Sequence, residues 1–229
     1  MSKNRLHEDG QGFIEYVLII VLVALSVIMA LKLTGVSISD LYQRVVSGFG
    51  EESKTILSER FDNLDNWKQI FGSDKWAIKD GWLVSSKGGD KRIMATSDLP
   101  DDYVITTTAQ LVDGKGFGIM FRLTPEGNNY GGYSFQIDPG YGNKLVLRKF
   151  VKNGVEISKP LAVANPPPGF DFYAEHEVKV SVIGNTFIAY IDGVQVMSAV
   201  DDTYPSGGAG LRSWSASNLK VDDFVVSIP

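Results

Sequence analysis

Two hydrophobic rhythms divide the chain. From Phe13 to Leu33 the sequence reads FIEYVLIIVLVALSVIMALKL, with Glu15 and Lys32 as its only charges. As a helix rising 1.5 Å per residue, these ~21 residues span roughly 30 Å, the thickness of bilayer hydrocarbon. Beyond Gly35, the apolar residues Ile38, Leu41, Tyr42, Val45, Val46 and Phe49 recur at three- and four-residue steps, which mark one helix face. Gly48 and Gly50 end that pattern. The prediction is one long helix over 11–49 behind a polar segment 1–10, then a linker over 50–56.

From about Leu57 the period becomes two. Val178, Val180 and Val182 alternate with Glu177, Lys179 and Ser181, and Phe117, Ile119, Phe121 and Leu123 alternate with Gly118, Met120 and Arg122. Asp80-Gly81, Asn153-Gly154, Gly184-Asn185 and Asp192-Gly193 each separate two strand-like runs, which is a hairpin signal. No helical pattern of useful length interrupts residues 57–229. The expected fold is therefore a long N-terminal α-helix plus an all-β antiparallel jelly-roll sandwich.

Composition narrows the function classes. The 229 residues carry a formal charge of −5, so no basic domain marks a nucleic-acid partner. Cysteine is absent and histidine occurs twice, which excludes a disulfide scaffold, a thiolate zinc site, a Cys nucleophile and a His-rich metal centre. No cofactor is expected. Lys3 and Arg5 favour a cytoplasmic N-terminus, which places the rest of the chain across the membrane. The apolar run is long for a secretory signal and no A-x-A site follows it, so it is expected to remain in the mature protein.

Glu15 sits three residues inside that run, where an unpaired carboxylate costs several kcal/mol. Around it stand a basic leader, Gly10, Gln11, and the pair Glu15-Tyr16. Residues 1–49 resemble the prepilins of the type IVb system, specifically the Flp (tight-adherence) pilins. The resemblance implies cleavage after Gly10 by a membrane prepilin peptidase, a mature chain beginning at Gln11, and assembly through Gln11, Glu15 and Tyr16. A buried Glu15 of one subunit would pair with the Gln11 amine of its neighbour and set register. The implied partners are further copies of the chain in a helical polymer, the assembly machinery, and the membrane before assembly. The implied location is an inner-membrane precursor and then an extracellular pilus. Most of that family are little more than the helix, whereas this chain has about 170 further residues.

Residues 57–229 carry their own resemblance. FDNLDNW at 61–67, WAIKDGWL at 76–83, GIMFR at 118–122, YSFQI at 133–137, AYIDG at 189–193, GAGLR at 208–212 and VDDFVV at 221–226 follow in order. This looks like a concanavalin A-like lectin/glucanase (laminin G-like) jelly roll, most similar to its keto-disaccharide hydrolase-like branch. The motifs indicate fold better than activity.

Parity then sorts the side chains. If Phe121, Phe135, Leu147, Ile191 and Leu211 face the core, Arg122, Gln136, Arg148, Tyr190, Arg212 and Trp214 point the other way, as a candidate glycan-binding face. Trp67, Trp76 and Trp82 are expected in the core, and Tyr130 and Tyr141 at a rim. His176 is expected to be structural. Asp62 and Asp222 are weak calcium candidates where terminal strands meet. Retaining glucanases of this fold need paired carboxylates on one strand face; the E-x-D-x-x-E arrangement is absent, so no catalytic residue is named and the chain is read as no enzyme. The leading expectation is a pilus subunit displaying a lectin-like domain. The alternatives are a minor or tip pilin acting as a glycan-binding adhesin, and a membrane-tethered glycosidase.

Overall fold

The computed structural model describes residues 54–73 and 76–229. The leader, the predicted long helix, and with them Gly10, Gln11, Glu15 and Tyr16, lie outside the described residues. Sixteen strands are described. They are β1 (Thr55–Glu59), β2 (Trp67–Phe71), β3 (Trp76–Lys79), β4 (Trp82–Ser85), β5 (Lys91–Ala95) and β6 (Tyr103–Asp113). Next come β7 (Phe117–Glu126), β8 (Asn129–Asp138), β9 (Lys144–Val151), β10 (Val155–Glu156) and β11 (Ala162–Ala164). The last are β12 (Glu175–Ile183), β13 (Thr186–Ile191), β14 (Val194–Val200), β15 (Gly208–Ser213) and β16 (Asn218–Ser227). A single 3-10 turn at Pro139–Tyr141 is the only helical element among the described residues.

The strands form two antiparallel eight-stranded sheets. The first has the order β14-β13-β12-β6-β16-β4-β3, with β1 also on β16. The second has the order β10-β9-β8-β7-β15-β5-β2, with β11 also on β9. The chain changes sheets between β5, β6 and β7 and again between β14, β15 and β16. Sequence neighbours therefore face each other across the core, in a jelly-roll-like sandwich.

Period two is what makes this possible. On β6, Tyr103, Ile105, Thr107, Ala109 and Leu111 are buried while Val104, Thr106, Thr108 and Gln110 are half-buried. Across the pair, Val178, Val180 and Val182 of β12 and Phe187, Ala189 and Ile191 of β13 complete the same inner face. From the second sheet, Phe117, Ile119, Phe121, Phe135, Leu145, Leu147 and Leu211 pack against them. Two aromatic groups anchor the layer. Trp67 meets Phe61 at 5.5 Å and Phe224 edge-on at 5.1 Å. Phe121, Tyr133 and Phe187 lie 4.5–5.5 Å apart, distances at which ring quadrupoles add to burial.

The turns follow from local chemistry. Asp80-Gly81 and Asp192-Gly193 have positive φ at both residues, the geometry that matches strand twist in a two-residue hairpin. Strict alternation breaks at one place on β16. Asp223 has φ +48°, and a register shift between Asp222 and Val225 lets Val221 and Phe224 both face inward. That bulge leaves Asp222 half-buried and Asp223 exposed, so neither carboxylate enters the core. Trp67 and Trp76 are in the core as expected. Trp82 is not: it is half-buried on the other face of β4, with the Lys220 ammonium 5.9 Å from its ring.

Candidate binding face

The second sheet has an outer face, away from the core. Register aligns two rows of residues across it. Arg92 of β5, Arg212 of β15, Gly118 of β7 and Gln136 of β8 form one row. Met94, Gly210, Met120, Ser134 and Arg148 form the next. The two glycines make room: a Cβ on Gly118 would lie 2.3 Å from Ser134 Oγ, and one on Gly210 would lie 2.3 Å from the Ile93 carbonyl oxygen.

Three guanidiniums and two carboxylates occupy this face as one network. Asp90 Oδ1 accepts from Arg212 Nε at 3.0 Å, and Asp90 Oδ2 accepts from Arg92 Nη2 at 2.7 Å and Arg212 Nη2 at 2.9 Å. Glu156 pairs with Arg148 Nε at 2.9 Å and with Arg212 Nη1. Arg92 Nη1 donates to the Gly154 carbonyl at 2.9 Å, and Arg148 Nη1 to those of Ile157 and Ser158 at 3.3 and 3.1 Å. Aromatic rings lie against the guanidiniums. Arg92 and Arg212 lie 4.6 and 4.9 Å from the Phe150 ring, Arg212 4.6 Å from Trp214, and Arg148 4.8 Å from Tyr141.

The titrating behaviour follows. Burial raises the Asp90 carboxyl, but hydrogen bonds from Arg212 and Arg92 outweigh it and hold the group below its ordinary value. Burial would lower Arg212, yet Asp90 and Glu156 keep it above its usual range. Asp138, at the end of β8, behaves oppositely. It is 7% exposed, and burial pushes its carboxyl up to about 6 despite a main-chain hydrogen bond from Tyr141. Beside it on the same strand face, Gln136 Nε2 and Ser134 Oγ are buried without a partner in the protein. A buried polar group left unpaired costs roughly 1–3 kcal/mol.

Of the six residues picked by parity, the fold brings together Gln136, Arg148, Arg212 and Trp214. Arg122 is elsewhere. It has φ +50° in a bulge of β7, and its guanidinium turns to one end of the sandwich. There it donates to the carbonyls of Asp101, Gly184, Tyr204 and Pro205, beside a cleft of about 300 Å³ lined also by Asp102, Asn185 and Asp202. It is a buried clamp on three loops rather than part of the face. Tyr190 lies on the outer side of the first sheet, under the Lys179 ammonium at 5.2 Å. Asp90, Arg92, Asp138 and Glu156 were not picked from sequence. Arg92 and Asp138 continue the parity of their strands and were legible that way. Tyr141 stands at the rim as expected, whereas Tyr130 packs on the Met120, Leu123 and Phe150 cluster.

Asp62 lines a polar cleft of about 260 Å³ with Glu59, Arg60, Asn63 and Asn66, and Asp222 sits apart in the β16 bulge. Among the described residues no group of three or more carboxylate or histidine side chains is placed to hold a metal ion. His176 joins the β12–β13 hairpin to the preceding loop, with Nδ1 2.7 Å from Asp192 Oδ2 and Nε2 2.7 Å from the Asp171 carbonyl oxygen.

Comparison with known proteins bears on this face. The model of the 3-keto-alpha-glucoside-1,2-lyase-like domain matches residues 58–223. A levanase of Bacillus subtilis (strain 168) is 26% identical over 158 residues, 68% of this chain. The aligned part is 22% of the levanase, so the chain spans about a fifth of that relative. Among solved structures, the carbohydrate binding module CBM66 from Bacillus subtilis superposes with TM-score 0.61 at 20% identity, covering 71% of this chain and 95% of that one. A Bacillus licheniformis beta-glucanase superposes with TM-score 0.57 at 12% identity, covering 78% and 100%. These structures share the fold.

One expectation is overturned here. The expectation of no enzyme rests on one missing glucanase arrangement of carboxylates. The matched family is defined on a lyase-like domain, and the levanase relative is itself an enzyme. Absence of a single carboxylate pattern excludes that pattern alone.

The raised carboxyl of Asp138 has a consequence for stability. Between its ordinary value of 3.8 and about 6, the folded chain keeps a proton that the unfolded chain has lost. Stability therefore falls as pH rises through that window, and the loss is complete above pH 6. Asp138→Asn should be more stable than wild type at pH 7.5 by about 3 kcal/mol, at roughly 1.4 kcal/mol per pKa unit. The gap should close below pH 4. Urea unfolding at both pH values checks this; equal stability at pH 7.5 would show that the carboxyl ionises there without penalty.

Proposed function

The chain belongs to the 3-keto-alpha-glucoside-1,2-lyase-like domain family, and on that premise we propose that residues 54–229 form a carbohydrate-active β domain. Its saccharide would lie on the outer face of the second sheet, over Gln136, Asp138, Arg148, Arg212 and Trp214. The observation that carries this reading is the pair of buried, partnerless atoms Gln136 Nε2 and Ser134 Oγ beside a carboxyl and two aromatic rings. Sugars supply what that combination lacks: hydroxyls that both donate and accept, and C–H faces that stack on rings. The CBM66 and levanase relatives support the same reading, and make levan the first probe.

A second reading, cleavage of the bound sugar, is favoured by one observation. Asp138 is held near 6 while Asp90 beside the same guanidiniums is held low. Carboxyls driven apart in this way suit acid–base chemistry near neutrality.

We further infer that the N-terminal segment presents this domain at the cell surface. The leader motif supports it: Gly10, the Glu15-Tyr16 pair and the apolar run that follows. The precursor would sit in the inner membrane, lose residues 1–10, and assemble through residues 11–49 into an extracellular filament. Gly10→Leu should leave the leader uncleaved, since a bulky residue blocks the scissile bond. Mass spectrometry that finds the mutant beginning at Gln11 would remove this reading.

For the β domain, the full chain in detergent micelles should bind one or more saccharides on a glycan array that includes levan. Gln136→Leu keeps size and loses the amide, and should weaken that binding about tenfold or more, in line with ~1.4 kcal/mol for one lost hydrogen bond in a buried site. Reducing-sugar release from the bound glycan reads the second reading in the same samples. Binding that is unchanged in Gln136→Leu would move the site off this face.

A further inference from the structure

The following rests on the saccharide reading of the second sheet's outer face. The carboxyls there are unequal in how far their hydrogen-bonding capacity is used. Asp90 has both oxygens taken twice, by Arg92 and Arg212, and Glu156 has one oxygen on Arg148 and the other on Arg212. Asp138 accepts the main-chain N–H of Tyr141, and among the described residues no side-chain donor reaches it. Its strand neighbours on the same face, Gln136 and Ser134, carry the partnerless amide nitrogen and hydroxyl. One stripe of β8 thus offers a hydroxyl, an amide donor and a carboxyl, all buried and all with capacity left. The stripe runs close to Trp214: a Cβ on Gly116 would lie 2.6 Å from that ring and 3.2 Å from Asp138 Cα.

What can use this stripe is a polyol. The Gln136 amide donates to one hydroxyl oxygen, and an ionised Asp138 accepts a hydroxyl hydrogen. The hydroxyl and the amide oxygen are neutral acceptors, and the ionised carboxylate is the one charged acceptor on the stripe, with hydrogen bonds roughly twice as strong. We propose that saccharide binding on this face is proton-linked through Asp138: the ionised carboxylate accepts a sugar hydroxyl in a charge-assisted bond, and protonation leaves only a weaker neutral acceptor.

The surroundings set where the switch falls. Burial is the largest influence and raises the carboxyl to about 6. Arg148 and Arg212 pull it down, and Glu156 pushes it up. Lys144 is its register partner on β9, Lys115 lies beside Gly140 in the adjoining turn, and Tyr141 closes that turn. A sugar that prefers the ionised form lowers the carboxyl further when bound. Affinity therefore declines as pH falls through 6, by at most tenfold per pH unit for one proton.

The test uses the full chain in detergent micelles, with levan and mixed-linkage β-1,3-1,4-glucan as probes, and titrates affinity from pH 4.5 to 7.5. For the polymer that binds, the dissociation constant should rise about tenfold between pH 7 and pH 5. Asp138→Asn should bind weakly and with a flat profile. A flat wild-type profile, tighter binding at low pH, or the same pH step in Asp138→Asn would each overturn the proposal. The wild-type profile stands alone if the variant misfolds. Failure of every saccharide, on an array as well as with these polymers, at all pH values would instead bring down the saccharide reading itself, an outcome distinct from binding without a pH step.

Discussion

The shared carboxylate of Asp90 is the interaction on which the candidate face depends. It holds Arg92 and Arg212 side by side across neighbouring strands, and Glu156 then ties Arg212 to Arg148. Three like charges could not lie together on one half-buried face without these counter-charges. With them in place, the guanidiniums sit over the Phe150, Trp214 and Tyr141 rings on the same face as Gln136 and Ser134. The network also reaches the β9–β10 hairpin, through Arg92 and the Gly154 carbonyl. It therefore fixes the geometry of the rim as well as of the floor.

Such a network is a poor way to gain stability. Buried ion pairs roughly break even against well-packed apolar residues, because desolvation offsets the Coulomb attraction. Partnerless Gln136 and Ser134 and a carboxyl pushed up to about 6 add further cost. The opposite side of the same sheet shows what ordinary packing looks like, with Phe135, Leu147 and Leu211 against the first sheet. That contrast is what the proposed saccharide site on the outer side rests on. The clamp at Arg122 differs in kind. It is spent on four carbonyls that bind loops together, and it belongs to the scaffold.

How much was legible in the sequence follows from strand geometry. Where a strand is regular, parity found the outer face, and Gln136, Arg148, Arg212 and Trp214 met there. Parity failed at Arg122, because a bulge with positive φ turns the chain and sends the side chain to the sandwich end. It failed differently at Tyr190. Alternation tells which side of its own sheet a residue takes, but not which sheet the strand joins. Asp90 and Glu156 were hidden for a third reason. The Asn153-Gly154 turn signals that β10 folds back along β9, but both carboxylates meet Arg212 only because β15 lies in the same sheet, and strand order across long sequence gaps leaves no local periodicity. Trp82 shows the bland counterpart: a large aromatic reads as core, yet covers a lysine stem on the outside.

The central claim is that ligand lies on the outer face of the second sheet and nowhere else on the domain. Side-chain resonances report it directly: the Gln136 amide, the Trp214 indole N–H and the Arg212 Nε–H, followed in the full chain as a bound oligosaccharide is titrated in. The account predicts that these three shift together and saturate at one concentration, while the Tyr190 ring and the Arg122 Nε–H stay in place. Shifts confined to Tyr190, or to Arg122 and its cleft, with the Gln136 amide unmoved, would contradict it.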